Sequence, residues 1–213
     1  MEGILDLLNS PMGQTIVNGI AGSTGQDSNK TGSVLTMALP VLMKAMQRNA
    51  ATPEGAEGLM GALNKHDGGI LDNLGDLFGG GVNADVVNDG DKILGHVLGA
   101  KKQGVQQVIG QKAGMDAGAV GDILKVAAPI LMGVLGKQTR QSNVNGAGDL
   151  GGLLGGLLGG NSASQDQSFL EKILDADGDG SVIDDVAGMV LNSGSKKSGG
   201  LLGGLLGGLF GKK

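Results

Sequence analysis

Residues 24–43 read TGQDSNKTGSVLTMALPVLM, and residues 113–132 read AGMDAGAVGDILKVAAPILM. The two stretches align without a gap when the chain is shifted by 89 positions. Eight of the twenty positions are identical, and they pair Gly25, Asp27, Gly32, Leu35, Ala38, Pro40, Leu42 and Met43 with Gly114, Asp116, Gly121, Leu124, Ala127, Pro129, Leu131 and Met132. A shared richness in glycine and leucine would not align Asp and Pro pairs. The alignment therefore predicts that one helical unit has been duplicated.

Each copy is predicted to contain a short helix, a second helix, a Gly-Asx turn and a long apolar helix. The predicted helices are Gly3–Leu8, Pro11–Ala21 and Ser28–Gln47 in the first unit, and Lys92–Leu98, Gln103–Ala113 and Ala117–Lys137 in the second. Ser10, Asp27 and Asp116 stand at N-cap positions, where a short polar side chain accepts a hydrogen bond from a free N–H group. The pattern therefore predicts an all-α fold.

The two long helices are apolar around nearly their whole circumference, which is typical of helices buried on all sides. Pro40 and Pro129 lie inside them, where proline removes a backbone hydrogen bond and favours a kink. A kink needed for packing is the simpler interpretation, and a hinge is the alternative. We expect an internally duplicated helical bundle with two central, Pro-kinked buried helices, a Gly/Leu-rich linker and a C-terminal Asp-rich loop segment.

The chain is expected to divide into four parts. Residues 1–141 would form the duplicated helical domain, with units at about 3–49 and 92–138 and connecting helices over 53–78. Residues 142–165 are interpreted as a Gly/Leu-rich linker, 166–192 as a helix–loop–helix around an Asp-rich loop, and 193–213 as a Gly/Leu-rich tail.

Composition narrows the classes of function. The 213 residues carry a net charge of −5, with no Trp, no Tyr and only three Phe. Nucleic-acid binding relies on basic patches and stacking aromatic residues, so it is not expected. The absence of Cys excludes disulfides, thiolate nucleophiles and cysteine-type zinc sites. No signal peptide and no uninterrupted apolar run long enough to span a membrane is recognised, so a cytoplasmic protein is expected.

Four stretches, in the expected order, resemble the YidB-like family, a bacterial domain of unknown function. They are Thr52–Ala62, Asn64–Leu74, Ile93–Gly99 and Ala128–Gly136. The resemblance covers about residues 1–140 and implies an all-helical fold. It implies no known activity and no catalytic residues. Members often have Gly/Leu-rich linkers and a trailing Asp-Gly loop, and this chain is similar to them in both respects.

Residues 174–185 read LDADGDGSVIDD, in which carboxylates at alternating positions are followed by glycine. This is the pattern at the start of a calcium-binding loop. The predicted Ca²⁺ ligands are Asp175, Asp177, Asp179, Ser181 through its carbonyl, and Asp185. Val186 stands where such loops usually have a glutamate, so Asp185 would have to close a shortened loop and binding is expected to be weak. A Gly-Asp turn with Asp184 as an N-cap is the alternative.

No catalytic constellation is recognised, and the chain is predicted not to be an enzyme. His66 and His96 are interpreted as structural or surface residues that pair with no other group. Nothing in the sequence matches a nucleophile elbow, and its Gly-rich triplets follow no predicted strand, as phosphate loops would. No cofactor other than Ca²⁺ is expected.

Residues 151–160 read GGLLGGLLGG, and the same ten residues recur at 199–208. A flexible tether is the simplest interpretation, because half of these residues are glycine. As helices, the segments would present leucine pairs on one side and a Gly-xxx-Gly seam on the other, which favours helix contact. Insertion into a membrane surface near Phe210, Lys212 and Lys213 is a third interpretation.

The function predicted from these features is that of a non-enzymatic structural or interaction protein. It would self-associate through helical surfaces or through the Gly/Leu-rich segments, so that its partner is another copy or another protein. The alternatives are a calcium-responsive binding module that acts through the Asp175–Asp185 loop, and a peripheral membrane protein that uses the C-terminal tail.

Overall fold

The computed structural model describes residues 3–144 and 146–158. Its α-helices, in chain order, are α1 (Ile4–Asn9), α2 (Pro11–Thr24), α3 (Ser28–Asn49), α4 (Pro53–Lys65), α5 (Gly69–Asp72), α6 (Leu74–Gly79), α7 (Ala84–Leu98), α8 (Lys102–Ala113), α9 (Ala117–Gln141) and α10 (Ala147–Leu158). A 3₁₀ turn, Gly99–Lys101, joins α7 to α8. These residues contain no β-strand, and the predicted all-α fold class is confirmed.

The turn before each long helix has the same geometry in the two predicted units. Gly25 and Gly114 follow α2 and α8 with φ of 67° and 63°, in the left-handed region that glycine adopts without steric cost. Two residues on, Asp27 and Asp116 cap α3 and α9, where each carboxylate accepts a hydrogen bond from the N–H three residues ahead, at 2.9 and 2.8 Å. The four residues keep the 89-residue spacing. This agrees with a duplication, which itself stays a prediction.

All six helices predicted for the two units are present, although their ends differ from the prediction. The largest difference is in α7, which begins at Ala84 rather than Lys92. Asn83 explains this start, because its side-chain oxygen accepts a hydrogen bond from the Asp85 N–H at 2.9 Å. Pro40 and Pro129 lie inside α3 and α9, each of which is a single uninterrupted helix. The predicted kinks stay predictions.

Helix α9 is the centre of the bundle over the described residues, with sixteen buried residues. It packs most extensively against α7 and next against α8, and it also contacts α2, α3, α4 and α5. The expected central pair of α3 and α9 is therefore only part of the arrangement. The two helices do touch, but α3 makes its largest contacts with α10 and α2.

Helix α9 is also long and apolar enough to cross a membrane, judged by length and composition alone. An 18-residue stretch of it has a mean hydropathy of 1.7, and 78 % of that stretch is buried inside the bundle. A buried core helix satisfies the same two criteria, so this observation does not assign a span.

Two glycines let neighbouring segments approach α9 at backbone distance. A Cβ added to Gly90 of α7 would overlap the carbonyl oxygen of Lys125 in α9. A Cβ added to Gly136 of α9 would overlap the carbonyl oxygen of His66, just after α4. Because the obstructing atoms belong to the backbone, no side-chain rotation can make room for them. Only glycine fits at these two contacts.

Part of the segment interpreted as a linker is the helix α10. Its Leu150, Leu153, Leu154 and Leu157 are at most 8 % exposed, and α10 packs mainly on α3 and secondarily on α4. Burying a leucine contributes about 1.5–3 kcal/mol. A glycine in a helix costs only about 0.5–1 kcal/mol relative to alanine. The tether interpretation is therefore corrected for residues 147–158, where packing on the core outweighs weak helix propensity.

Candidate functional site

The predicted calcium site lies outside the described residues. This applies to each of its ligands, Asp175, Asp177, Asp179, Ser181 and Asp185, and also to the Gly/Leu-rich tail. Within residues 3–144 and 146–158, no group of three or more His, Cys, Asp or Glu side chains is placed to hold a metal ion. Calcium binding at the Asp-rich loop stays a prediction.

An apolar cavity of about 40 Å³ lies between α1, α2, α3 and α9. Its lining consists of Ile, Leu, Val, Ala and Gly residues, including Leu39 of α3 and Ile130 of α9. A buried water needs two to four polar partners, and these side chains offer none. The cavity therefore does not bring together the polar groups that would orient a substrate.

The histidine in the turn after α4 has an acidic neighbour. His66 Nε2 lies 3.4 Å from Asp89 Oδ2 of α7, and the two side chains are 20 % and 44 % exposed. The interpretation of His66 as unpaired is therefore wrong. The two residues are 23 positions apart in the sequence, and the α4–α5 turn brings them together. His96 is exposed, as expected, and its backbone carbonyl accepts a hydrogen bond from the Asn49 side chain at 3.2 Å.

Opposite charges connect the same turn to the end of α9. Asp67 Oδ1 accepts a hydrogen bond from the Gly69 N–H at 3.0 Å, and this bond is the main reason that the pKa of Asp67 lies below its usual value. The guanidinium of Arg140, 3.8 Å from the Asp67 carboxylate, lowers this pKa further. Lys137 lies 4.0 Å from Asp72. Because solvent screens exposed pairs of this kind, they position the turn on α9 without much stabilisation.

Helix α10 covers a surface formed by α3 and α4, hereafter called the α10 groove. The leucines that enter it, Leu150, Leu153, Leu154 and Leu157, follow the i, i+3, i+4, i+7 spacing of one helical face. Gly155 lies against α3, since a Cβ placed there would be 3.3 Å from Gln47 Nε2. The groove thus accepts a Gly/Leu helix through leucine side chains and through the close approach of a glycine.

The opposite face of α10 is a row of glycines. Gly148, Gly152 and Gly156 follow at four-residue intervals and are exposed, and a Cβ added to any of them would meet no atom within 4 Å. The helix therefore has a leucine side in contact with the core and a small-residue side in contact with solvent. The sequence pattern indicated this two-sided character but not which side would be buried.

Residues 6–138 match the sequence model of a family described as bacterial protein of unknown function (DUF937). The chain belongs to this family. The match covers more than half of the chain and agrees with the YidB-like resemblance. No curated protein and no solved structure matches the chain. Both helices that form the α10 groove lie inside the DUF937 match, whereas α10, which fills it, lies beyond the end of the match.

Proposed function

We propose that this DUF937 protein is a non-enzymatic helical scaffold that self-associates through its Gly/Leu-rich segments. The observation that carries the proposal is the packing of α10, a Gly/Leu-rich sequence that buries four leucines on the chain's own surface. The ten residues at 151–160 recur unchanged at 199–208. A sequence that already packs on this protein once is suited to pack on it again, within an assembly of several copies.

The character of the other described surfaces supports a binding role rather than catalysis. The cavity beside α9 is lined by apolar groups, so it offers nothing to activate a substrate. Around His66, side chains of the turn after α4 contact side chains of α7 and α9, and Arg140 of α9 also donates a hydrogen bond to the Asn64 backbone carbonyl of α4. These pairs position the helices relative to one another, which is a structural role that fits a scaffold.

Light scattering of the full chain over a wide range of concentrations tests the proposal. We expect the mass to rise above that of one chain, and we expect replacement of Leu205 and Leu206 by Ser to lower it. The matched control replaces Lys196 and Lys197 by Ser, in the same tail but outside the repeat, and should leave the mass unchanged. A strict monomer at all concentrations contradicts the proposal.

A calcium-responsive binding module is the second candidate function. The feature that favours it is the alternation of Asp175, Asp177 and Asp179 followed by Gly180, which matches the first half of a calcium loop. In this case Ca²⁺ would change the interactions of the C-terminal part of the chain. Light scattering with Ca²⁺ and with a chelator separates the candidates, because a scaffold that needs no calcium gives the same mass in both.

A further inference from the structure

The C-terminal segment reproduces the face with which α10 binds its groove. When Ala147–Leu158 is shifted by 52 positions onto residues 199–210, nine of the twelve residues are identical. The four buried leucines of α10 correspond to Leu202, Leu205, Leu206 and Leu209. Each of the four leucines that α10 buries therefore has an identical counterpart near the end of the chain.

The three differences leave this leucine face intact. Ala147 corresponds to Gly199, Asp149 to Leu201 and Leu158 to Phe210. Asp149 is exposed and is not one of the four leucines that enter the α10 groove. Leu158 is partly buried, and phenylalanine there keeps an apolar side chain at the edge of the groove. Gly155, the residue that approaches Gln47, corresponds to Gly207.

We propose that the α10 groove of one copy also binds residues 199–210 of a second copy, in place of its own α10. This inference rests on the proposed self-association and names the surface that performs it. Each chain has one such groove and two segments that match it, so one segment per chain always lacks a groove of its own. In an isolated chain α10 holds the groove, because only residues 142–146 separate it from α9.

Exchange with a second copy requires the copies to be close together, because the short connection to α9 gives α10 an effective concentration on the order of millimolar at its groove. At such a local concentration each groove has the 199–210 segments of neighbouring copies within reach, besides the two matching segments of its own chain. The groove and residues 199–210 belong to different parts of the chain, so the contact joins unlike surfaces of the two copies. Such a head-to-tail contact closes into a ring, the smallest of which is a reciprocal pair of copies, or builds an open chain of copies.

Site-specific crosslinking tests the exchange, and the absence of Cys from the chain makes each introduced thiol unique. One chain carries Gln47→Cys and the other carries Gly207→Cys, and the mixture is treated with a short bifunctional maleimide. We expect a covalent pair of copies. A single chain with Gln47→Cys and Gly155→Cys is the positive control, because these residues adjoin in α3 and α10.

Gly204→Cys is the matched negative control. In the 52-residue register Gly204 corresponds to Gly152, which is exposed and faces open space, so the thiol would point away from the groove. Its yield of crosslinked pairs should be several-fold lower than that of Gly207→Cys. If Gln47→Cys disturbs the fold, as judged by circular dichroism, Lys44→Cys replaces it, because the Lys44 Nζ lies 3.1 Å from Gln47 Oε1.

The outcomes separate this inference from the proposed function. Equal yields from Gly204→Cys and Gly207→Cys, or no linked pair, overturn the exchange. A chain with both Gln47→Cys and Gly207→Cys that links only to itself assigns the groove to its own tail and also overturns it. If light scattering shows association while these thiols do not link, the scaffold proposal stands and the groove exchange fails. A strict monomer contradicts both.

Discussion

Two glycines in α7 give a stringent test of how this bundle is packed. Gly90 is buried against α9, and a Cβ there would overlap the carbonyl oxygen of Lys125. Gly95, five residues later in the same helix, is exposed, and a Cβ there would meet nothing within 4 Å. We predict that Gly90→Ala destabilises the protein and that Gly95→Ala stabilises it.

The magnitudes follow from two effects. Alanine is the better helix former by about 0.5–1 kcal/mol, and this gain applies at both positions. At Gly95 nothing opposes the gain, so the free energy of unfolding should rise by that amount. At Gly90 the new methyl group meets backbone atoms of α9, so α7 must move away from the helix that it contacts most extensively. Overpacking costs about 1–3 kcal/mol, and a collision with backbone atoms belongs at the upper end of this range, so after subtraction of the helix-propensity gain we expect a net loss of about 2 kcal/mol.

Urea unfolding followed by far-ultraviolet circular dichroism measures both effects. The helical signal is the suitable probe because the chain has neither Trp nor Tyr for fluorescence. The midpoint should shift while the slope with denaturant stays constant, since the same surface is exposed on unfolding. In a thermal scan, a loss of 2 kcal/mol corresponds to a fall in Tm of about 4–8 °C for a domain of this size.

The comparison between Gly90→Ala and Gly95→Ala isolates the effect of the contact between α7 and α9. Both change one glycine of α7 to alanine, so they share the helix-propensity effect and the effect on the unfolded chain. If Gly90→Ala is as stable as Gly95→Ala, the close contact between α7 and α9 described above is incorrect.

Three further predictions concern single side chains. Thr31 Oγ1 is buried without a hydrogen-bond partner, and Val120 occupies the aligned position of the second predicted unit. Thr31→Val should therefore raise the free energy of unfolding by about 1 kcal/mol. A lower free energy of unfolding in urea titrations would contradict this and show that the hydroxyl is needed. The Lys102 ammonium donates a hydrogen bond to Asp91 Oδ1 at 2.7 Å and lowers the pKa of Asp91 in the folded state, so the stabilisation is present at neutral pH and is lost as the pH falls through that lowered pKa. Asp91→Asn should therefore lower the free energy of unfolding by about 0.2–1 kcal/mol at pH 7 and leave it unchanged in strong acid. Urea unfolding at both pH values measures this, and a variant that is equally destabilised in acid would refute it. For the Asp-rich loop, calorimetry should record Ca²⁺ binding with a Kd of about 10⁻⁵–10⁻³ M. Asp177→Ala should abolish this binding, whereas Asp166→Ala, outside the loop, should preserve it. Unchanged binding heat in Asp177→Ala would exclude the loop as the site.

The features that could be predicted from the sequence depend on residues close together in the chain. The caps at Asp27 and Asp116 and the left-handed glycines before them involve atoms only a few positions apart. Their residue types therefore suffice to identify the turn. The all-apolar pattern of α9 likewise indicates burial without specifying its neighbours.

The features that could not be predicted depend on contacts between distant residues. The pairing of His66 with Asp89 requires the turn after α4 to lie against α7, and neither residue carries a local signal of the other. The first eight residues of α7 are not predicted as helix from the sequence, because the glycine and polar residues around Gly90 resemble a loop. That glycine is instead the point where α7 approaches Lys125 of α9, so a weak helix former is there because of a tertiary contact.

Helix α10 shows how spacing can outweigh composition. Five of its twelve residues are glycine, which favours a tether, yet its leucines recur at the spacing of one helical face. A helical face is stable only where a complementary surface exists, and α3 and α4 provide that surface. Residues 199–210 have the same leucine spacing, so their helix propensity does not decide what they bind. What such a segment binds depends on its access to a groove, and each chain has one α10 groove for two segments with matching sequence. The groove exchange proposed above would therefore give the Gly/Leu repeat its function through competition between α10 and the C-terminal segment for that groove.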